Sequence, residues 1–121
     1  MALNYNIKGT GVDISDELRT YVEKKLSASD KFVHTDAAHA DVELEHAANK
    51  EGKKYRAEFT LALGSDVHRA EAHGDALHEA IDIAAGELAR DLSQTKKKRQ
   101  HVFRRSAMRV KEYIRGFRRS V

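Results

Sequence analysis

The sequence contains no cysteine, no proline and no tryptophan, and it is poor in aromatic residues of any kind. Without cysteine there is no disulfide framework, no thiolate metal site and no cysteine nucleophile. A cysteine-free chain also suits a reducing compartment. Without tryptophan, a core must be packed from Leu, Ile, Val and Ala with a few Phe and Tyr. No apolar run approaches the roughly 20 residues that a membrane-spanning helix needs. The opening residues, MALNYNIKGTGVD, lack the charged start and apolar stretch of a secretion signal. A cytoplasmic protein is expected, with one modest core at a length of 121 residues.

Charge is what the chain does have, and it is unevenly spread. Residues 1–95 carry eleven Lys and Arg against eighteen acids, a net of −7. Residues 96–121 carry eleven Lys and Arg against one acid, Glu112, a net of +10. Such asymmetry points to nucleic acid or another anionic surface.

Periodicity predicts the elements. In residues 3–8, Leu3, Tyr5 and Ile7 alternate with polar residues, the period of a half-buried strand. Two glycines then turn the chain, and Ser15 is placed to cap a helix over about 16–28, with Asp16 and Glu17 favoured at its positive end. Its apolar face carries Leu18, Tyr21, Val22 and Leu26; residues 27–39 read as a loop. Residues 38–46 alternate again, with Ala40, Val42 and Leu44 inward and His39, Asp41, Glu43 and Glu45 outward. A polar, glycine-bearing hairpin leads to a third strand over 55–63, and the GSD turn to a weaker fourth over 67–73. From Gly74, with Asp75 as cap, Leu77, Ile81, Ala84, Leu88 and Leu92 recur at steps of four, three, four and four. The predicted class is α+β in the order βαβββα, a four-stranded, mainly antiparallel sheet with both helices on one face.

No proline ends the second helix. Phe103, Ala107, Val110, Ile114 and Phe117 fall at steps of four, three, four and three. The basic segment is therefore expected to continue that helix, to form an amphipathic one, or to be frayed or disordered for want of a partner. The expected organisation is an α+β domain over 1–95 and a basic segment over 96–121.

Catalysis is not expected. His68, His73 and His78 are five apart, but residues five apart on a strand face opposite ways. HEAID begins like the zinc-protease motif H-E-x-x-H, yet Asp82 stands where the second His is required. KGTGVD has neither P-loop nor dinucleotide spacing. No metal, cofactor or small-molecule substrate is implied. The basic segment has three readings: a solvated tail, a membrane-surface helix, or a binder of RNA or DNA. Arg104, Arg105, Arg109, Arg115, Arg118 and Arg119 favour nucleic acid, because a guanidinium both forks onto phosphate and stacks on bases.

A family resemblance narrows this. Ile7, Gly9, Ile14, Ser15, Leu18, Arg19, Tyr21, Val22, Lys25 and Leu26 follow the progression I-x-G-x-x-x-x-[IL]-[TS]-x-x-L-R-x-Y-V-x-x-K-[LF]. Ala80, Ile81, Asp82, Leu88, Arg90 and Leu92, followed by Lys96 to Lys98, match a second helix of the form A-I-D-x-x-x-x-x-L-x-R-Q-L. Over about residues 3–100 the chain resembles the ribosome hibernation promoting factors, or ribosome-associated inhibitors. His78 departs from a common Tyr, Asp91 from a common Gln, and ASDKFV from part of a Lys-Leu-Glu-Lys stretch. Long family members carry a further C-terminal domain; beyond about Gln100 this chain has its basic segment instead.

The resemblance implies a non-enzymatic translation inhibitor similar in fold to a double-stranded-RNA-binding domain. Its partners would be the small ribosomal subunit and the 70S ribosome, with 16S rRNA contacted in the decoding channel and tRNA and mRNA excluded. Lys24, Lys25 and Lys31 match the family's basic positions around the first helix. Arg90, Lys96, Lys97, Lys98 and Arg99 match those around the second, and Arg104 and Arg105 extend the set by charge alone. A different class stays open: a stress-related interaction protein whose basic amphipathic segment binds a membrane surface or a protein groove.

Overall fold

The computed structural model describes residues 3–33, 38–47 and 52–96. Strand β1 (Asn4–Thr10) leads to helix α1 (Asp16–Asp30), followed by β2 (His39–His46), β3 (Tyr55–Leu63) and β4 (Asp66–Gly74). Residues 77–96 form a second helix, α2. The strands lie in the order β1-β2-β3-β4. β1 runs parallel to β2, because α1 returns the chain to the sheet end where β1 began; the other pairs are antiparallel.

The predicted alternation decides what is buried. Ala40, Val42 and Leu44 of β2, Ala57, Phe59 and Leu61 of β3, and Ala70 and Ala72 of β4 face one way. Leu18, Val22 and Leu26 of α1 pack on that face together with Ala80, Ile81, Ala84, Leu88 and Leu92 of α2. Both helices thus cover one side of the sheet. The Ala residues of β4 let α2 sit close, which resolves the weak pattern of that strand.

Local chemistry sets the boundaries. Ser15 caps α1, its Oγ accepting from the Leu18 amide at 3.1 Å. The helix passes the expected end at 28 and runs to Asp30, because Ser29 lies three residues beyond Leu26 on the buried face and is itself only 1% exposed. In α2 the first intrahelical bond runs from the Ala80 amide to the Ala76 carbonyl, so Ala76 occupies the capping position. The carboxylate of the expected cap, Asp75, accepts instead from Lys53 Nζ at 3.3 Å.

Two glycines are required by close approach. A Cβ at Gly9 would lie 2.5 Å from the Val12 carbonyl oxygen, where β1 meets the turn into α1. A Cβ at Gly74 would lie 2.9 Å from the Ala80 amide nitrogen, where β4 meets α2. No helix among the described residues is long and apolar enough to cross a membrane.

Candidate nucleic-acid interface

The sequence-predicted cations on the described residues fall into two sets. Lys31, just past α1, and Lys96, at the last described turn of α2, both approach the ring of Phe32. Their ammonium groups lie 5.2 and 5.9 Å from its centroid. Cations near a ring face are held by its quadrupole, and the pair brings two positive charges together beside the last described turn of α2. Lys24 and Arg90 are exposed, and among the described residues no carboxylate pairs with either. These four side chains have charge to offer a phosphate.

Lys25 differs. Its ammonium lies 3.1 Å from the carboxylate of Asp82 on α2, which also accepts from the Tyr21 hydroxyl. Tyr21 and Lys25 stand one turn apart on α1, so a single acid on α2 ties both down. The Tyr21 hydroxyl, and with it Lys25, holds the Asp82 carboxyl below its ordinary value. The same contact raises Tyr21 and Lys25 above theirs. His78 meets the Tyr21 ring edge-on with centroids 4.4 Å apart. Tyr5 of β1 donates to Glu23 of α1, and this bond raises the phenol in turn. Lys97, Lys98, Arg99, Arg104 and Arg105 lie outside the described residues.

Sequence reading misses Phe32 and the Tyr21–Asp82–Lys25 knot. The aromatic directly after Lys31 is visible in the sequence, but its second cation comes from 64 positions further on. Nothing local links Tyr21 to Asp82.

The histidines are dispersed. His68 faces the helices and sits 2.7 Å from Asp91 of α2. His73 lies on the opposite face in register with Arg56, and His78 is on the surface of α2. Among the described residues no three His, Asp or Glu side chains are grouped to hold a metal.

The uncovered face of the sheet carries a row of acids. Glu43, Glu58 and Glu71 lie side by side across β2, β3 and β4. Arg56 reaches all three and Glu45, at 3.6, 2.6, 3.2 and 3.4 Å respectively. Its contact with Glu71 holds that carboxyl below, and the guanidinium above, the ordinary value. Arg56 on the sheet side is thus engaged by carboxylates, whereas Lys24, Lys31, Arg90 and Lys96 on the helical side are in no ion pair with a described carboxylate.

The sequence and fold have known counterparts. Residues 5–100 match the family described as Sigma 54 modulation protein / S30EA ribosomal protein. The chain is 31% identical over 103 residues to the ribosome hibernation promotion factor of Bacillus subtilis, covering 84% of this chain and 53% of that protein. The curated relatives matched first are similarly covered, so the chain spans about half their length. The N-terminal domain of Thermus thermophilus Protein Y superposes with a TM-score of 0.65 at 34% identity, over 78% of this chain and 99% of that one. A ribosomal subunit interface protein from Coxiella burnetii gives 0.61 at 25% identity, over 78% and 98%. From its two motifs, its βαβββα order and these matches, the chain belongs to the S30EA ribosomal protein family, that of the ribosome hibernation promotion factors.

Proposed function

We propose that the chain is a ribosome-binding translation inhibitor. It occupies the decoding channel of the small subunit and sterically excludes tRNA and mRNA. The observation that carries this is the meeting of Lys31 and Lys96 at Phe32, which brings one cation from beyond α1 and one from α2 to a single place. From there the chain continues into residues 97–121, which hold most of its Arg. Lys24, Lys31, Arg90 and Lys96 contact 16S rRNA phosphates, and Lys97, Lys98, Arg99, Arg104 and Arg105 follow the adjacent RNA. Lys25 contributes less, since Asp82 already neutralises it. The relatives named for ribosome hibernation and the subunit interface support the same partner. The work is binding and exclusion, with no bond made or broken.

Cosedimentation with 30S, 50S and 70S particles over a salt series tests it. Association with 30S and 70S is expected, and if about six phosphates are neutralised, log affinity falls with log salt at a slope of about −4 to −5. Reversing the charge of Arg90 and of residues 96–99 should abolish association and relieve translation arrest. Binding that ignores salt, or no ribosome binding at all, overturns the proposal.

A further inference from the structure

The open face of the sheet is a surface that ribosome binding by the helical side leaves unused. Like charges placed directly opposite one another destabilise a sheet, yet Glu43, Glu58 and Glu71 form one such row. Arg56 serves these three and Glu45, and Arg69 reaches Glu58 at 4.0 Å, so two guanidiniums answer four carboxylates. Asp41 adds a fifth acid to the face, while Lys8 and Arg69 are its other permanent cations. The surface thus keeps an anionic surplus. Beside it, Ala62 and Val67 pair in register, with Val67 61% exposed.

The chain leaves the described domain from the helical side, at one end of the sheet. Asp91 on α2 contacts His68, the neighbour of Val67, so the last described turns of α2 lie at the Ala62–Val67 end of the sheet, and the residues that follow have only to round that end to reach the open face. The residues that follow, 97–121, have matching chemistry. They contain ten Lys and Arg against Glu112 alone, and the apolar series Phe103, Ala107, Val110, Ile114 and Phe117. Fully extended, 25 residues reach about 80 Å, whereas the strands are only about 30 Å long. Reach is ample, and the apolar and charged parts of face and segment correspond.

We propose that, away from RNA, residues 97–121 dock on the open face of their own sheet, over the Glu43–Glu58–Glu71 row and the Val67 edge. RNA must then displace the segment from the chain's own carboxylates. This lowers apparent affinity by the fraction of molecules whose segment is docked. Sparse or single phosphates compete poorly; a dense array of rRNA phosphates competes well. The contact stands independently of the ribosome reading, which supplies only the competitor.

Carbodiimide linking of the full chain, mapped by mass spectrometry, tests it. At about 20 mM salt, Lys111 should form amide links to Glu43, Glu58 or Glu71 within the monomer, and these should vanish at about 0.5 M salt. Links spread equally over Glu23, Glu79 and Glu87 of the helices overturn the proposal. Links found only between two copies overturn it as well, by assigning the face to a second molecule's segment. The Glu43→Gln/Glu58→Gln/Glu71→Gln variant should bind purified 30S subunits about tenfold more tightly; unchanged or weaker binding by a folded variant sinks the competition. Should that variant not fold, excess 30S subunits added to the unmodified chain should suppress the links, and persistence of the links refutes displacement. Links without any 30S association keep the contact and defeat the ribosome reading; 30S association without links does the reverse.

Discussion

The hydroxyl of Tyr21 on α1 donates to the carboxylate of Asp82 on α2, joining residues 61 apart in the chain. With Lys25 on the same carboxylate, this is a polar tie between the two helices. The Asp82 side chain is 47% exposed, so the expected coupling is modest. A double-mutant cycle of Tyr21→Phe and Asp82→Asn, read by urea melts, should give about 0.5–1 kcal/mol. Strict additivity would show that the tie does not hold the helices together.

The same contacts fix the sign of the pH dependence. Asp82 and Glu71 titrate below their ordinary values in the fold. Their stabilisation is therefore present above the unfolded carboxylate pKa, about 4, and is lost as pH falls through the lower folded values. Tyr5 and Tyr21 titrate above theirs. Their stabilisation is full below about 10 and is lost as pH rises through the raised values. The urea midpoint should fall at both extremes, and Asp82→Asn should flatten part of both limbs. An unchanged profile in that variant would contradict the assignment.

Two glycines should respond in opposite directions. Gly74→Ala puts a Cβ 2.9 Å from the Ala80 amide nitrogen and 3.1 Å from the Ala76 carbonyl oxygen. Backbone at both contacts cannot yield locally, and a loss of about 1–3 kcal/mol is expected. Gly86 sits within α2, and a Cβ added there would meet nothing within 4 Å. Gly86→Ala should stabilise by about 0.5–1 kcal/mol through helix propensity. Thermal melts of the two variants decide the matter.

Arg56 holds apart the repulsion of the acidic row. Its side chain is only 18% exposed and lies among four glutamates. Arg56→Met keeps much of the apolar stem but leaves those acids facing one another, at an expected loss of about 2 kcal/mol. Added salt should shrink that loss by screening. A loss independent of salt would make Arg56 a packing residue rather than a counter-charge.

Much of the architecture is legible in the sequence because burial imposes its period on the residues that undergo it. Ala40, Val42 and Leu44 announce β2 and its buried face, and Ile81, Ala84, Leu88 and Leu92 announce α2. The end of α1 is not legible, since Ser27 and Ser29 carry the composition of a loop while Ser29 occupies a helical, buried position. Local propensity yields there to packing. The cations of the candidate interface are legible as charges. Their availability is not, because it depends on which carboxylate the fold brings near: Lys25 meets Asp82, whereas Lys24 and Arg90 meet none among the described residues.

By itself, then, the chain's order of residues determined the elements, the faces they bury and the concentration of positive charge after residue 95. Hydrophobic periodicity and net charge are local sums, and they survive without knowledge of distant neighbours. Only tertiary structure decided that Lys31 and Lys96 share Phe32, that Asp82 restrains Lys25, and that one arginine faces four glutamates. Coulomb and hydrogen-bond energies depend on separations of a few ångströms, and those are set by how strands and helices far apart in sequence come to rest together.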